Sequence, residues 1–195
     1  MAEMRKGERT REHILKTTRS ILVAQGFHNT TINDIIRATG VKKGNLYYHF
    51  ASKEEIGIAV LQDASREFLR FLEDSFQGPT ACAKVINSCQ AIFQEQQKNN
   101  FVGGCLFGNA ALEMSDSNRR FAAVIQDVFS QWCNKLAGAL MQAGESGCLA
   151  ASLPPHLLAK AIVATMEGGI MMARVSKDPA DLADCLAVIK SLISG

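Results

Sequence analysis

The 195-residue sequence predicts an all-α chain, on three observations. Apolar residues recur at three- and four-residue spacing along nearly the whole length, no segment sustains the alternation of a half-buried strand, and the 4 prolines begin only at Pro79. A chain 47% hydrophobic and 21% charged is not disordered. Its length suits one domain, or a small module followed by a larger one.

Each helix has its own signals. Ile14, Leu15, Thr18, Ile21 and Leu22 share one face and stop at Gly26, which predicts a first helix over about 8–25. Thr31 and Asp34 have the spacing of a cap and its acidic partner, opening a short second helix that ends at Gly40. A third short helix runs from about Lys43 to His49. A fourth starts at Ser52, where Ser-Lys-Glu-Glu predicts a capping box closed by Glu55, and reaches about Ser75.

Beyond Gly78-Pro79, the stripe Val85, Ile86, Cys89, Ile92, Phe93 marks a fifth helix, and a short apolar segment, Cys105 to Met114, follows Gly103-Gly104. The longest stripe runs from Phe121 to Leu140 between Ser117 and Gly144. Another follows Pro154-Pro155, and the last is capped by Asp178 with Pro179 in its first turn. The two final stripes cover about 155–173 and 179–193.

Charge is unevenly placed. Through Glu55 there are ten Lys and Arg against six Asp and Glu, net +4; from 21 and 19 overall, the remainder is 11 against 13, net −2. A basic first quarter on a mildly acidic body suits a polyanion partner for the first part, although a solvated helix face has the same composition. Two short helices joined by a glycine turn, after a longer one, form a helix-turn-helix whose second short helix can enter the DNA major groove. Lys42, Lys43, Gly44, Asn45, Tyr47, Tyr48 and His49 put cations, a bare backbone and hydrogen-bonding rings on that helix. Lys53, in the first turn of the next, reads as a phosphate clamp.

The run Thr30-Thr31-x-x-Asp34-Ile35, then Gly40-Val41-x-Lys43-Gly44-Asn45-Leu46-Tyr47-Tyr48-His49-Phe50-x-x-Lys53, resembles the DNA-binding domain of TetR/AcrR-type transcriptional regulators. The resemblance is strong over about residues 8–56. It implies a three-helix reader at 1–51, a helical ligand-binding and dimerisation domain at 52–195, and a homodimer, whose four-helix interface is expected from the stripes of about 155–173 and 179–193. Such regulators are usually repressors released by a small molecule from a palindromic operator in double-stranded DNA. It further implies phosphate contacts at Thr31, Tyr47, His49 and Lys53, base or groove contacts at Lys43, Gly44, Asn45 and Tyr48, and core positions at Leu46 and Phe50.

The segment Gly103-Gly104-Cys105-Leu106-Phe107-Gly108-Asn109, with Glu113 beyond it, resembles a subgroup in which a cysteine at this place senses electrophiles. The competing reading of Cys105 is a small buried hydrophobe. For the effector site, Phe93, Cys105, Phe107, Glu113, Phe129, Trp132 and Met166 are candidates to line an apolar cavity, with ordinary core packing as the alternative. Glu167 lies in a similarly apolar neighbourhood.

Other chemistry finds little footing. No nucleophile, base and orienting group assemble into a catalytic set, so no catalytic residue is assigned; a helical-bundle enzyme or small-molecule carrier is the competing class. His13, His28 and His156 lack metal-ligand spacing, the 6 cysteines contain no CxxC, and neither metal nor cofactor is expected. Lys160 and Glu167 interrupt the oiliest stretch, and no membrane span is expected. The charged N-terminus argues against export, so a cytoplasmic location and reduced cysteines are expected.

Overall fold

Nine helices, and no strand, account for the regular structure among the residues described, 5–150 and 152–194, in the computed structural model of the chain. They are α1 (Lys6–Gln25), α2 (Ile32–Thr39), α3 (Lys43–His49), α4 (Lys53–Ser75), α5 (Ala81–Lys98), α6 (Leu106–Met114), α7 (Arg119–Glu145), α8 (Pro155–Ser176) and α9 (Ala180–Ser194). The chain forms two compact units. One takes the residues up to Arg66 together with Leu106–Ile125; the other takes Glu67–Cys105 and the residues from Gln126 onward. The division expected at 51/52 therefore differs from the compact units: α6 and the start of α7 cluster with the helix-turn-helix, because their apolar side chains complete its core.

In the first unit the caps are those the sequence announces. Thr31 Oγ1 accepts from the Asp34 amide at 3.1 Å, and Asp34 Oδ2 accepts from the Thr31 amide at 2.9 Å. Gly40 closes α2 in the left-handed region at φ 66°, which a β-carbon would disfavour, and its amide donates to the Ile36 carbonyl. Leu46 is the one buried residue of α3 and is fully enclosed, as is Ile14 of α1. The box expected at α4 forms only in half: the Glu55 amide donates to Ser52 Oγ, while the Glu55 carboxylate pairs with Arg120 of α7. That pairing holds the carboxyl below its ordinary range, chiefly through the Arg120 hydrogen bond.

The second unit packs α5, α8 and α9 against the later parts of α4 and α7 around Leu136, Leu158, Ile162, Met166, Leu182 and Ile189. The inward stripes of α8 and α9 are thus consumed within the protomer. What they leave outside is a second face: Leu157, Ala161, Ala164, Gly168, Met171 and Val175 recur at helical spacing on α8, with Val175 83% exposed. At 22 residues α8 is long and apolar enough to cross a membrane by length and composition, but its buried face is accounted for by this packing. Asp178 Oδ1 accepts from the Ala180 amide at 2.9 Å and caps α9 as expected.

One cysteine expectation is corrected. Cys82, at the start of α5, and Cys148, just beyond α7, are joined as a disulfide with Cα atoms 6.2 Å apart, whereas reduced thiols were expected throughout. Their separation of 66 residues carries no motif, and only the folding of α5 against the end of α7 brings them together. Cys89, Cys105, Cys133 and Cys185 take no part in a disulfide.

Candidate nucleic-acid interface and effector body

α3 divides its residues by exposure. Leu46 and, at the helix end, Phe50 face the core, while Lys43, Gly44 and Asn45 are exposed and Tyr48 keeps 82% of its surface in solvent. Tyr47 is 44% exposed, and His49 is half-buried with its ring edge-on to Tyr48 at 5.1 Å. An aromatic ring so exposed on a short helix contributes little to folding and is available to a partner. Beside it runs an open groove of about 620 Å³, lined by Lys6, Arg9, Thr10 and His13 of α1 with Gly40, Val41, Lys42 and Asn45. His13 Nε2 donates to the Thr39 carbonyl at 3.0 Å, fixing the basic end of α1 against α2.

Lys6 and Arg9 were not singled out by sequence. Their signal was present in the charge excess of the first quarter and in their three-residue spacing, which puts them on one helical face.

Two expected phosphate contacts are otherwise engaged. The Thr31 hydroxyl donates to Asp34 Oδ2 at 2.7 Å, and this bond is the main cause of the depressed Asp34 pKa. Lys53 does not project as a clamp. Its ammonium donates to the carbonyls of Phe27 at 3.0 Å and Thr30 at 2.9 Å, and lies 4.3 Å from the centre of the Phe27 ring. The turn between α1 and α2 ends in outward carbonyls, and a half-buried cation satisfies them better than it serves a distant anion.

The seven effector candidates are distributed over both units. Phe107 and Glu113 belong to the first unit, and Glu113 is bonded to the α1–α2 turn. In the second unit Phe93, Trp132 and Met166 are buried in a single apolar cluster, with Cys105 and Phe129 packed against it. Trp132 lies edge-on to Phe68 at 5.2 Å and stacks with Phe129 at 6.3 Å. Its indole Nε1, in a side chain only 2% exposed, has no hydrogen-bond partner, and neither does Glu167 Oε1. Glu167 also meets the Cys105 thiol, and desolvation pushes its carboxyl above the ordinary range. Burial pushes the Cys89 thiol up to about 12 and raises Cys133 and Cys185, which makes those three poor nucleophiles. Among the described residues no cluster of three or more His, Cys, Asp or Glu could hold a metal ion.

A buried anchor, an exposed polar face and a basic groove on a helix-turn-helix define a DNA-binding regulator. Residues 14–60 match the bacterial regulatory proteins of the tetR family, and residues 81–189 match the tetracyclin repressor-like C-terminal domain. The chain belongs to the TetR family of transcriptional regulators. It is 28% identical over 183 residues to the HTH-type transcriptional repressor DhaR of Mycobacterium sp. strain GP1, covering 92% of this chain and 89% of that one. It is 24% identical to the transcriptional repressor NemR of Escherichia coli K12, covering 95% and 94%. Among solved structures, a TetR transcriptional regulator from Chloroflexus aurantiacus superposes with a TM-score of 0.88 at 27% identity, over 96% of both chains. The reduced form of E. coli NemR gives 0.84 at 25%, over 95% of this chain and 97% of that one. The names of these relatives are those of transcriptional regulators.

Proposed function

We propose that the chain is a cytoplasmic homodimeric repressor that reads a palindromic operator with α3 and the basic end of α1, and that a small apolar or electrophilic molecule releases it. The observation that carries this reading is α3 itself, which spends one side chain on the core and offers Lys43, Gly44, Asn45 and Tyr48 outward beside Lys6, Arg9 and Lys42. Phosphates fall to the cations and to Tyr47 and His49, and base edges to Lys43, Asn45 and Tyr48. The exposed stripe of α8 from Leu157 to Val175, continued by small residues of α9, supplies the dimer face in place of the inward stripes. A palindromic site of half-sites about 34–36 Å apart needs two heads. A folded monomer at micromolar concentration in sedimentation would remove this element.

Gly44 provides the test. An added β-carbon there meets nothing within 4 Å and no strained φ, so alanine adds about 1 kcal/mol of helix propensity at no cost to packing. Gly44→Ala is expected to melt no lower than the native chain. It is also expected to bind DNA selected from random duplexes about tenfold more weakly, roughly 1.4 kcal/mol, because its methyl stands where the DNA backbone approaches. Undiminished affinity in a shift assay would refute that approach.

For the effector, the free indole N–H of Trp132 favours a molecule that brings a hydrogen-bond acceptor into the apolar cluster, such as a carbonyl. A second version is favoured by the Cys105–Glu167 contact and by the relative solved in a reduced form. Here the Cys105 sulfur adds to an activated carbon of a quinone or enone, and the thiol proton passes to the resulting enolate or phenolate. Cys105→Ser separates the two. Covalent sensing predicts loss of quinone-induced DNA release in the variant, with reversible apolar ligands unaffected. Equal release from native and variant chains excludes Cys105 as the sensor.

A further inference from the structure

The turn from Gly26 to Thr30 is held from two sides by opposite charges. Lys53 occupies its carbonyls, as described. On the other side stands Glu113, in the last turn of α6, whose Oε2 accepts from the His28 amide at 3.0 Å. The Glu113 carbonyl, one of the four at the helix end without an intrahelical partner, lies 2.9 Å from His28 Nε2. A carbonyl only accepts, so that ring nitrogen is the donor. Glu113 Oε1 lies 2.5 Å from where a β-carbon on Gly26 would stand, so a side chain there would push the carboxylate off its present position, and the φ of +81° itself favours glycine. One residue thus binds α6 to the turn that sets α2, and through α2 the reading helix α3.

The far end of α6 begins at Leu106, immediately after Cys105. Glu113 is seven positions beyond Leu106, about 10 Å of helix at 1.5 Å per residue, so a shift of the α6 start is carried to the carboxylate by a stiff rod. Hydrogen bonds near 3.0 Å weaken steeply with an added ångström or a bent angle, so the clamp is either closed or open.

We propose that Glu113 is a positioning residue that couples α6 to the DNA-reading head: a change at the start of α6 reaches α2 and α3 through its bonds to His28. The inference rests on the DNA-binding and effector reading above. Coupling is reciprocal, so DNA bound at α3 must also order α6, and this can be measured without knowing the effector.

The experiment is hydrogen exchange of the 106–114 segment with and without the selected duplex, in native chain, Glu113→Gln and Glu113→Ala, with DNA affinity measured alongside. DNA is expected to slow exchange about fivefold or more in native chain and in Glu113→Gln, which keeps an acceptor for the His28 amide, and less than about twofold in Glu113→Ala. A role limited to holding the fold would not give this split, since Gln and Ala would then differ in melting temperature and not in the response to DNA. His28→Ala keeps the amide bond and loses the ring bond and an edge-on contact with Phe27 at an exposed position, so it is expected to fold even where Glu113→Ala does not. Its protection should fall to about half the native value or less. Full protection in Glu113→Ala or in His28→Ala, or none in native chain, overturns the coupling. Failure of the native chain to bind any duplex appears separately in the affinity measurement and overturns the DNA reading, and the coupling with it.

Discussion

Lys53→Ala is expected to lower the melting temperature of the chain and to leave the salt dependence of its DNA binding unchanged. Hydrogen bonds to a charged group contribute about 1.5–3 kcal/mol each, and Lys53 makes two, to the Phe27 and Thr30 carbonyls. Its half-exposed position discounts the sum, and a net loss of about 2 kcal/mol is expected, or about 4–8 °C for a chain of this size. A phosphate clamp behaves differently. Its removal would reduce the salt slope by about one unit and weaken binding to all sequences alike, with little change in melting. Thermal melting and a salt titration of DNA affinity, run on the same variant, separate the two roles. A reduced slope with an unchanged melting temperature would restore Lys53 to the interface.

Gly57→Ala is expected to destabilise the first unit, against the sign that helix propensity alone gives. Gly57 lies inside α4, where alanine is favoured over glycine by about 1 kcal/mol. A β-carbon there would stand 2.6 Å from Phe27 Cε2 and 2.7 Å from Phe121 Cζ. Both rings are buried, and they pack edge to face with centroids 4.9 Å apart, so neither can swing aside. Overpacking at the upper end of its usual range costs about 3 kcal/mol, which leaves a net loss of about 2 kcal/mol. The Phe27 ring also carries the Lys53 ammonium, so the same variant should weaken DNA binding through the α1–α2 turn. A melting temperature equal to or above the native value would show that the rings yield.

Much of the reader was legible because its signals are local. The Thr31–Asp34 cap, the glycine at Gly40, the seven residues of α3 and its single inward Leu46 each depend on neighbours within about one helical turn, and the structure has them where the sequence puts them. Glu55 shows the limit of that reasoning: it has the spacing of a capping box, yet its carboxylate pairs with Arg120, 65 positions away. The stripes of α8 and α9 were read correctly as apolar, but periodicity does not say whether a face meets its own protomer or another.

By itself, the sequence determined the helical class, the order of the helices, the family and the residues that α3 turns outward, because helix periodicity and capping act over three or four residues. Tertiary structure alone decided that Lys53 binds carbonyls, that Glu113 holds the His28 amide and that Cys82 meets Cys148. Each of these joins residues between 23 and 85 positions apart. No local spacing specifies such pairs. They follow from which helix faces are driven together as apolar surface leaves water, and the polar groups carried along then bond to whatever that packing leaves within reach.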